Sequence, residues 1–593
     1  MDITQPGEYE LFDVLTAILR GQQLGYASGV TGGGVNELIG YLMQGGVNAT
    51  VASSETDGIG RMFGHQRLLK PGFAASFSTH GVGIAQQAST LEYLSHRGRI
   101  PAIAIIGANK DGSVGPSGFQ YIDEEKYRSL FGPNIFKITR AGGVKPETLV
   151  EELIDMLDGA YAEGGPVLLS VPNNLGRLKF AVSADDIEGI NMGLFTTAMP
   201  LSSEARDKLD ELVTRINGEG QRVLFMPGEG IGHTIRLGGM EVFDLLQRTM
   251  EKMVGNRIVS ADWADLLMGH THELTIGSHN YDPKIDAAVG KCNTVVCFGT
   301  GPDATITGIG KEAVYKQKHV VIIDPRQDIL DEWKGDLPNA ITICADLRLA
   351  LQYLHEKGYE HVQTRQQEAE KLAGELRKLV MEGEQELPRA QKMRALHTAI
   401  ARVLSGFDGT GMVVDSGDGA NQYLRYRTKF DGPGKLFYPG QGMLGLVAGA
   451  AHAYTDSGIF GRTVMLTGDG GMGYSVGELS HLAAQAHRLE KPTVVVVMNN
   501  GAHGAVGKGI GIGDKRDDIK PKMERQNVLP AVDFSKVGAM LPDHDVRGAN
   551  VEGTEPHNVA AQLQAAFAHN GLTVLNVNTR EIGYEPAPAT PSR

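Results

Sequence analysis

The chain has 593 residues, which at about 150 residues per domain gives three or four domains and excludes a single small binding module. With 41% hydrophobic and 21% charged residues it is neither a disordered nor a fibrous chain. The 70 Asp and Glu outnumber the 56 Lys and Arg, a formal charge of −14 that excludes a broad nucleic-acid or anionic-membrane surface.

Gly is abundant, 78 residues without a collagen-like period, which calls for many tight turns and close backbone approaches. The first residues, MDITQPGEYELFDVL, have no basic stretch ahead of an apolar one, so a secretory signal is not expected. No apolar run has membrane-spanning length. Cys292, Cys297 and Cys344 show no CxxC spacing and lie in apolar stretches, as expected of reduced thiols in a cytoplasmic protein.

In chain order, YELFDVLTAILRG (Tyr9 to Gly21) reads as a helix, and GYASGV, FAASFST, IPAIAIIGA and PVLLSV read as strands of a parallel, doubly wound sheet in a domain over 1–185. After a polar stretch the pattern restarts over 200–362 with RVLFMPG, NTVVCFGTG, HVVIIDPR and AITICADL between helices. Residues 363–390, rich in Glu, Lys, Arg and Leu at helical spacing, read as a solvated connecting helix. A third unit over 391–580 has the strands MVVDSG, RTVMLTGDG, PTVVVVMNN and LTVLNVN, and EPAPATPSR reads as a disordered tail. The expected fold class is therefore α/β, three consecutive doubly wound parallel-sheet domains.

The most specific segment is Gly468-Asp469-Gly470 at the end of RTVMLT, followed after a helical stretch by PTVVVVM and Asn499-Asn500-Gly501. Adjacent parallel strand ends would bring Asp469 and Asn500 together. Their oxygens, with one backbone carbonyl just beyond, are hard ligands suited to an octahedral Mg²⁺ that keeps positions for phosphate and water. Gly468, Gly470 and Gly471 would let backbone N–H groups approach a diphosphate. Taken singly, Gly-Asp-Gly and Asn-Asn-Gly are also ordinary turn sequences.

Together the two motifs resemble the GDG…NN signature of the thiamine diphosphate enzymes, the family that includes acetolactate synthase, pyruvate oxidase and pyruvate decarboxylase. The interval from Asp469 to Asn500 is a few residues longer than usual there, while Glu478-Leu479 falls where the family has Glu-Leu. The resemblance implies Asp469 and Asn500 as side-chain Mg²⁺ ligands and Ala502 as a carbonyl ligand, with Gly468, Gly470, Gly471 and Met472 along the cofactor. It also implies a glutamate about twenty-six residues before a Gly-x-Gly, and Glu55, ahead of Gly81-Val82-Gly83, meets that requirement. Its role would be a hydrogen bond to the aminopyrimidine, favouring the imino tautomer that takes the thiazolium C2 proton. The same residues admit a second reading, in which Ser54-x-x-Asp57 is a capping box and Glu55 merely favours the helix N-terminus.

Further matches extend the resemblance over most of the chain. Gly118-Phe119-Gln120 with Asp123, GGPVLLSVPNN, VVIIDPR with CADL, VVDSGDGANQ and PGQGMLGLVAGAAHA each have a counterpart in the family. They imply diphosphate contacts at Asp418 and Gly419, a cofactor contact at Gly81, and an apolar wedge at Leu444, with Met443 as the alternative. His80, Gln120 and His503 are the expected catalytic residues beside the substrate, since an imidazole can move protons at a carbonyl oxygen. The central region has Cys-Phe-Gly-Thr-Gly-Pro where flavin-binding relatives carry a Gly-x-Arg-Phe type sequence, so FAD is not expected, although Gly228-Glu229-Gly230-Ile231-Gly232 keeps a nucleotide open.

The resemblance implies a pyrimidine-binding first domain, a central domain and a diphosphate-binding third. It further implies a lyase or carboligase of the acetolactate synthase kind, using thiamine diphosphate and Mg²⁺ on a 2-oxo acid. The partners expected are a small carbonyl substrate and a second copy of the chain, as a homodimer or homotetramer with shared active sites. Two alternatives stay open: a C–C hydrolase of a cyclic or vicinal diketone using the same cofactor, and a non-catalytic nucleotide-binding regulatory protein. A nicotinamide dehydrogenase is disfavoured, because no strand is followed by an intact GxGxxG.

Overall fold

The computed structural model describes residues 3–32, 34–95, 99–108, 124–131, 134–138, 148–193, 200–218, 221–252, 257–260, 275–278, 292–301, 318–357, 388–416, 435–439, 445–502, 529–530 and 532–582. The chain divides into two compact units, one carrying two six-stranded sheets and the other a third.

In the first unit, β1 (Gly7–Glu10) pairs antiparallel with β8 (Lys179–Val182). The helix expected from Tyr9 therefore begins only at Leu11: Tyr9 and Glu10 are drawn into this ribbon by Phe180 and Lys179, and a local helical pattern yields to tertiary pairing. Between them lie β2 (Tyr26–Gly29), β3 (Asn48–Val51), β4 (Ala74–Thr79), β5 (Ala102–Ala108), β6 (Ile135–Lys137) and β7 (Pro166–Pro172), parallel throughout in the order β3-β2-β4-β5-β7-β6. A second sheet follows with β9 (Val223–Pro227), β10 (Arg257–Ser260), β11 (Thr275–Ser278), β12 (Thr294–Phe298), β13 (His319–Asp324) and β14 (Ile341–Cys344), in the order β11-β10-β9-β12-β13-β14.

The second unit contains β15 (Thr410–Val414), β16 (Leu436–Phe437), β17 (Arg462–Gly468), β18 (Thr493–Asn499), β19 (Val546–Glu552) and β20 (Leu572–Asn578), in the order β16-β15-β17-β18-β20-β19. This repeats the winding of the first sheet: the chain steps outward once, crosses back over, and leaves its fifth strand at the edge. Each sheet thus has a point where the strand order reverses, between β2 and β4 in one and between β15 and β17 in the other. In open α/β sheets ligands bind outside the carboxyl ends of the strands at such points.

The strands read from sequence are those that helices cover on both faces, such as TVVVVMN in β18, whose residues are all buried. Two sheets expected as separate domains pack within one unit through buried polar contacts. The Arg99 guanidinium pairs with Asp324, Arg67 Nη2 lies 3.4 Å from Glu229 Oε2, and Arg236 Nε donates to the Gln66 carbonyl at 3.1 Å. The expected connecting helix lies outside the described residues up to 387, as does the tail from 583. Cys292, Cys297 and Cys344 are free thiols, with burial pushing Cys297 up to about 12. Among the described residues no helix is long and apolar enough to cross a membrane.

Candidate active site

Parallel pairing of β17 with β18, with Gly468 opposite Met498, delivers the two motifs side by side. Asp469, the first residue of the short helix Asp469–Ser475, is buried, and its Oδ2 accepts the Gly501 N–H at 2.8 Å. Gly501 has φ of +73°, a backbone conformation that favours glycine, and the Arg580 guanidinium packs over the space a side chain would take. Asn500 Oδ1 accepts the Ala502 N–H at 2.9 Å and folds the chain back at the strand end. Asn499 serves the sheet instead, since its Nδ2 donates to the Val532 carbonyl at 2.8 Å and to Asn576 Oδ1 at 3.0 Å, tying β18 to β20. The structure therefore separates the two asparagines and brings Asp469, Asn500 and Ala502 together.

These donors are hard oxygens, the kind that divalent cations such as Mg²⁺ prefer. Among the described residues no three His, Cys, Asp or Glu side chains converge on one point. A divalent ion here would rely on few protein ligands plus phosphate and water, the habit of Mg²⁺. Beside Asp469 and Gly470 opens a cavity of about 380 Å³ with an apolar wall of Leu529, Val532 and Phe534 and the ring of Tyr474 at its mouth. Glu478 and Leu479 are fully buried at the start of the helix Glu478–Arg488, and Met472 is buried as well.

Sequence reasoning missed Asp415. It directly follows β15, its N–H donates to the Leu466 carbonyl at 2.8 Å, and its side chain is fully buried. Oδ2 accepts from Thr467 Oγ1 at 2.6 Å and Oδ1 from the Ser416 N–H at 2.7 Å. Burial pushes this carboxyl up to about 6 against the pull of those hydrogen bonds. The available signal is an acid immediately after the apolar run MVV, overshadowed by the nearby Asp418 and Gly419 of the same motif.

In the first unit, Glu55 opens the helix Glu55–Arg67 and is half-buried. Of the capping box expected at this end the N-cap half is present: Ser54 Oγ accepts the Asp57 N–H at 3.1 Å, and Asp57 Oδ2 accepts from both Ser53 and Ser54 hydroxyls at 2.7 Å. Ser54 and Asp57 form it without Glu55. Arg61, buried on the same helix, donates to the Val51 carbonyl at 3.0 Å and holds the helix against the end of β3. Gly58 packs on β2, where a Cβ would stand 2.6 Å from Gly29 Cα. His80 is buried at the carboxyl end of β4, ahead of Gly81, which has φ of +72° and precedes the helix Val82–Tyr93. Gln120, Asp418, Gly419, Met443, Leu444 and His503 lie outside the described residues.

The run Gly228-Glu229-Gly230-Ile231-Gly232 faces protein. Gly228 and Gly230 donate their N–H groups to Phe298 and Gly299 carbonyls at 2.8 and 2.9 Å, and a Cβ on Gly230 would meet Gly299 Cα at 2.8 Å. Glu229 pairs with Arg67 and accepts from the Tyr93 hydroxyl. Those glycines let the ends of β9 and β12 pack backbone to backbone.

No curated protein sequence matches the chain. Residues 415–577 match the family model "Thiamine pyrophosphate enzyme, C-terminal TPP binding domain". Among solved structures, the chain is similar to a thiamine diphosphate-dependent 4-hydroxybenzoylformate decarboxylase of Rhodococcus jostii RHA1, with TM-score 0.71 and 13% identity over 98% of this chain and 100% of that one. It is similar also to a benzoylformate decarboxylase from Polynucleobacter necessarius, with TM-score 0.72 and 14% identity over 97% of this chain and 100% of that one. The chain has the multi-domain fold of the thiamine diphosphate-dependent enzymes and carries their C-terminal cofactor-binding domain.

Proposed function

We propose that the protein is a thiamine diphosphate- and Mg²⁺-dependent lyase that releases CO₂ from a 2-oxo acid. The observation that carries this reading is the pairing of Asp469 with the Asn500–Ala502 turn at adjacent strand ends, beside an apolar cavity and inside a thiamine pyrophosphate-binding domain. When bound, the cofactor supplies an electron sink for the bond that breaks next to the substrate carbonyl. The rest falls to the chain. Asp469, Asn500 and the Ala502 carbonyl would hold the metal; the backbone N–H groups of Gly470 and Gly471 would approach the diphosphate; Glu55 would hold a proton at the aminopyrimidine; and His80 would move one at the substrate oxygen. Leu529, Val532 and Phe534 give the cavity beside Asp469 an apolar wall, which suits an apolar substituent on the substrate. The two structural neighbours are named for benzoylformate and 4-hydroxybenzoylformate, which agrees with an aromatic 2-oxo acid here.

The test is incubation of protein loaded with thiamine diphosphate and Mg²⁺ with aromatic and aliphatic 2-oxo acids and with diketones, following CO₂ and product masses. The expected result is CO₂ release, fastest from aromatic acids, with an aldehyde or, in the presence of an acceptor, a coupled ketol. Cleavage of a diketone without CO₂ would overturn decarboxylation in favour of hydrolysis.

A further inference from the structure

The chemistry assigned to the site has no use for Asp415, yet a fully buried carboxylate is expensive to keep and a close-packed apolar residue would fill its space. We propose that Asp415 is a positioning residue that sets the Asp469 turn for metal and diphosphate, acting through Thr467 and Gly471 and touching neither ligand itself. This rests on the reading of Asp469 as a metal ligand.

Asp415 stands at the carboxyl end of β15, next to β17, at the point where the strand order of this sheet reverses. Its Oδ2 accepts from Thr467, two residues before Asp469, at 2.6 Å. That bond fixes the strand side of the turn. On the helix side the backbone of Gly471 closes over the same oxygen: a Cβ at Gly471 would lie 1.8 Å from Asp415 Oδ2 and 2.8 Å from Thr467 Oγ1. One carboxylate oxygen therefore determines how far Gly468–Gly471 can approach the sheet, and with it where the Asp469 carboxylate stands. Its other oxygen is held by the Ser416 N–H at 2.7 Å, so the group cannot rotate to follow the turn. Gly471 is glycine because the acid is there.

Three variants test this: Asp415→Ala, Asp415→Asn and Thr467→Val, the last a near-isostere that removes the hydroxyl and with it the bond to Asp415 Oδ2 and the weaker one to the Gly468 carbonyl at 3.1 Å. Two quantities are read on the full chain, the affinity for thiamine diphosphate across a Mg²⁺ titration by calorimetry and the thermal midpoint of the cofactor-free protein. Asp415→Ala is expected to weaken cofactor affinity by about 10- to 100-fold and to raise the Mg²⁺ needed for half-saturation, as loss of a residue supporting a metal ligand does. Asp415→Asn, which keeps the shape and one acceptor, should recover part of the loss. Thr467→Val should move both readings in the same direction, and the Asp415→Asn/Thr467→Val pair should be no worse than the poorer single variant. If Asp415→Ala does not fold, Thr467→Val carries the test. Wild-type affinity and Mg²⁺ dependence in Asp415→Asn and Thr467→Val would overturn the proposal, as would losses that simply follow the thermal midpoint. If the wild-type chain itself binds no thiamine diphosphate with Mg²⁺, the functional reading falls and this inference with it.

Discussion

At the scale of single residues, the site is held by a carboxylate that does two jobs. Asp469 takes the Gly501 N–H and so ties the two motifs, and the same carboxylate is the one assigned to Mg²⁺. A diphosphate beside a bare carboxylate is repelled, and a divalent ion turns that repulsion into attraction. Asp469→Ala is therefore expected to retain the fold by circular dichroism and to lose thiamine diphosphate affinity by at least about tenfold in calorimetry; unchanged affinity would remove Asp469 from the metal site. Glu55 is expected to act on the tautomer of the aminopyrimidine and not on the diphosphate. Glu55→Gln should bind the cofactor, somewhat more weakly, and exchange the C2 proton at least about a hundredfold more slowly, read by quenched-flow NMR. Exchange at the wild-type rate would leave Glu55 without a chemical role. Asp469 is a candidate in the sequence because glycines and turn residues at strand ends are local features with local causes, whereas Glu55 is singled out only by what the family resemblance implies. Asp415 is not legible there, since its meaning lies in Thr467 and Gly471, more than fifty residues further on, whose approach only the folded sheet shows.

Among elements, the helix Glu55–Arg67 is seated at both ends. Near its start Gly58 rests on Gly29 of β2 with no room for a methyl group. Gly58→Ala must lift the helix, and with it Glu55. The expected cost is about 1–3 kcal/mol of stability, seen as a lower thermal midpoint, together with slower C2 exchange at preserved Mg²⁺-dependent cofactor binding. A variant unchanged in both would show that the helix is not seated by this contact.

At its far end, Gln66 and Arg67 meet Arg236 and Glu229. Burial pushes the Glu229 carboxyl from 4.5 up to about 7, against the pull of Arg67 and the Tyr93 hydroxyl. In that window the folded chain holds a proton that the unfolded chain has released. The stability contributed by Glu229 is thus complete below about pH 4.5 and is lost as pH rises through 7, about 3 kcal/mol in all. Buried His233, lowered to about 3 by burial, contributes the opposite slope, but equally to wild type and variant. The thermal midpoint of wild type relative to Glu229→Gln should fall between pH 4.5 and 7 and be flat below; a difference independent of pH would contradict the assignment. Elements of this kind set the limit of sequence reading. β10, β11 and β19, with RIVS, TIGS and VRGANVE, carry no continuous apolar run, and they are strands because a neighbouring strand offers them a ladder.

At the scale of the whole molecule, the first and third sheets share one winding, and each presents candidate residues at the carboxyl ends of its strands: Glu55 and His80 in one, Asp469 and Asn500 in the other. The two sets belong to different compact units of the chain. We propose, as the family resemblance implies, that a dimer completes each site, the first domain of one copy facing the third domain of the other. This has a consequence that no single-chain site shares. Glu55→Gln and Asp469→Ala homodimers should each be inactive. A mixed dimer of the two variants would then hold one site with both defects and one with neither, and should regain up to about half the wild-type activity per dimer if the sites are independent. The experiment is co-expression with two affinity tags, purification of the doubly tagged species, and assay of CO₂ release beside each homodimer. A doubly tagged species no more active than the homodimers would argue against sites shared between copies, and a stable monomer with full activity in sedimentation would exclude them.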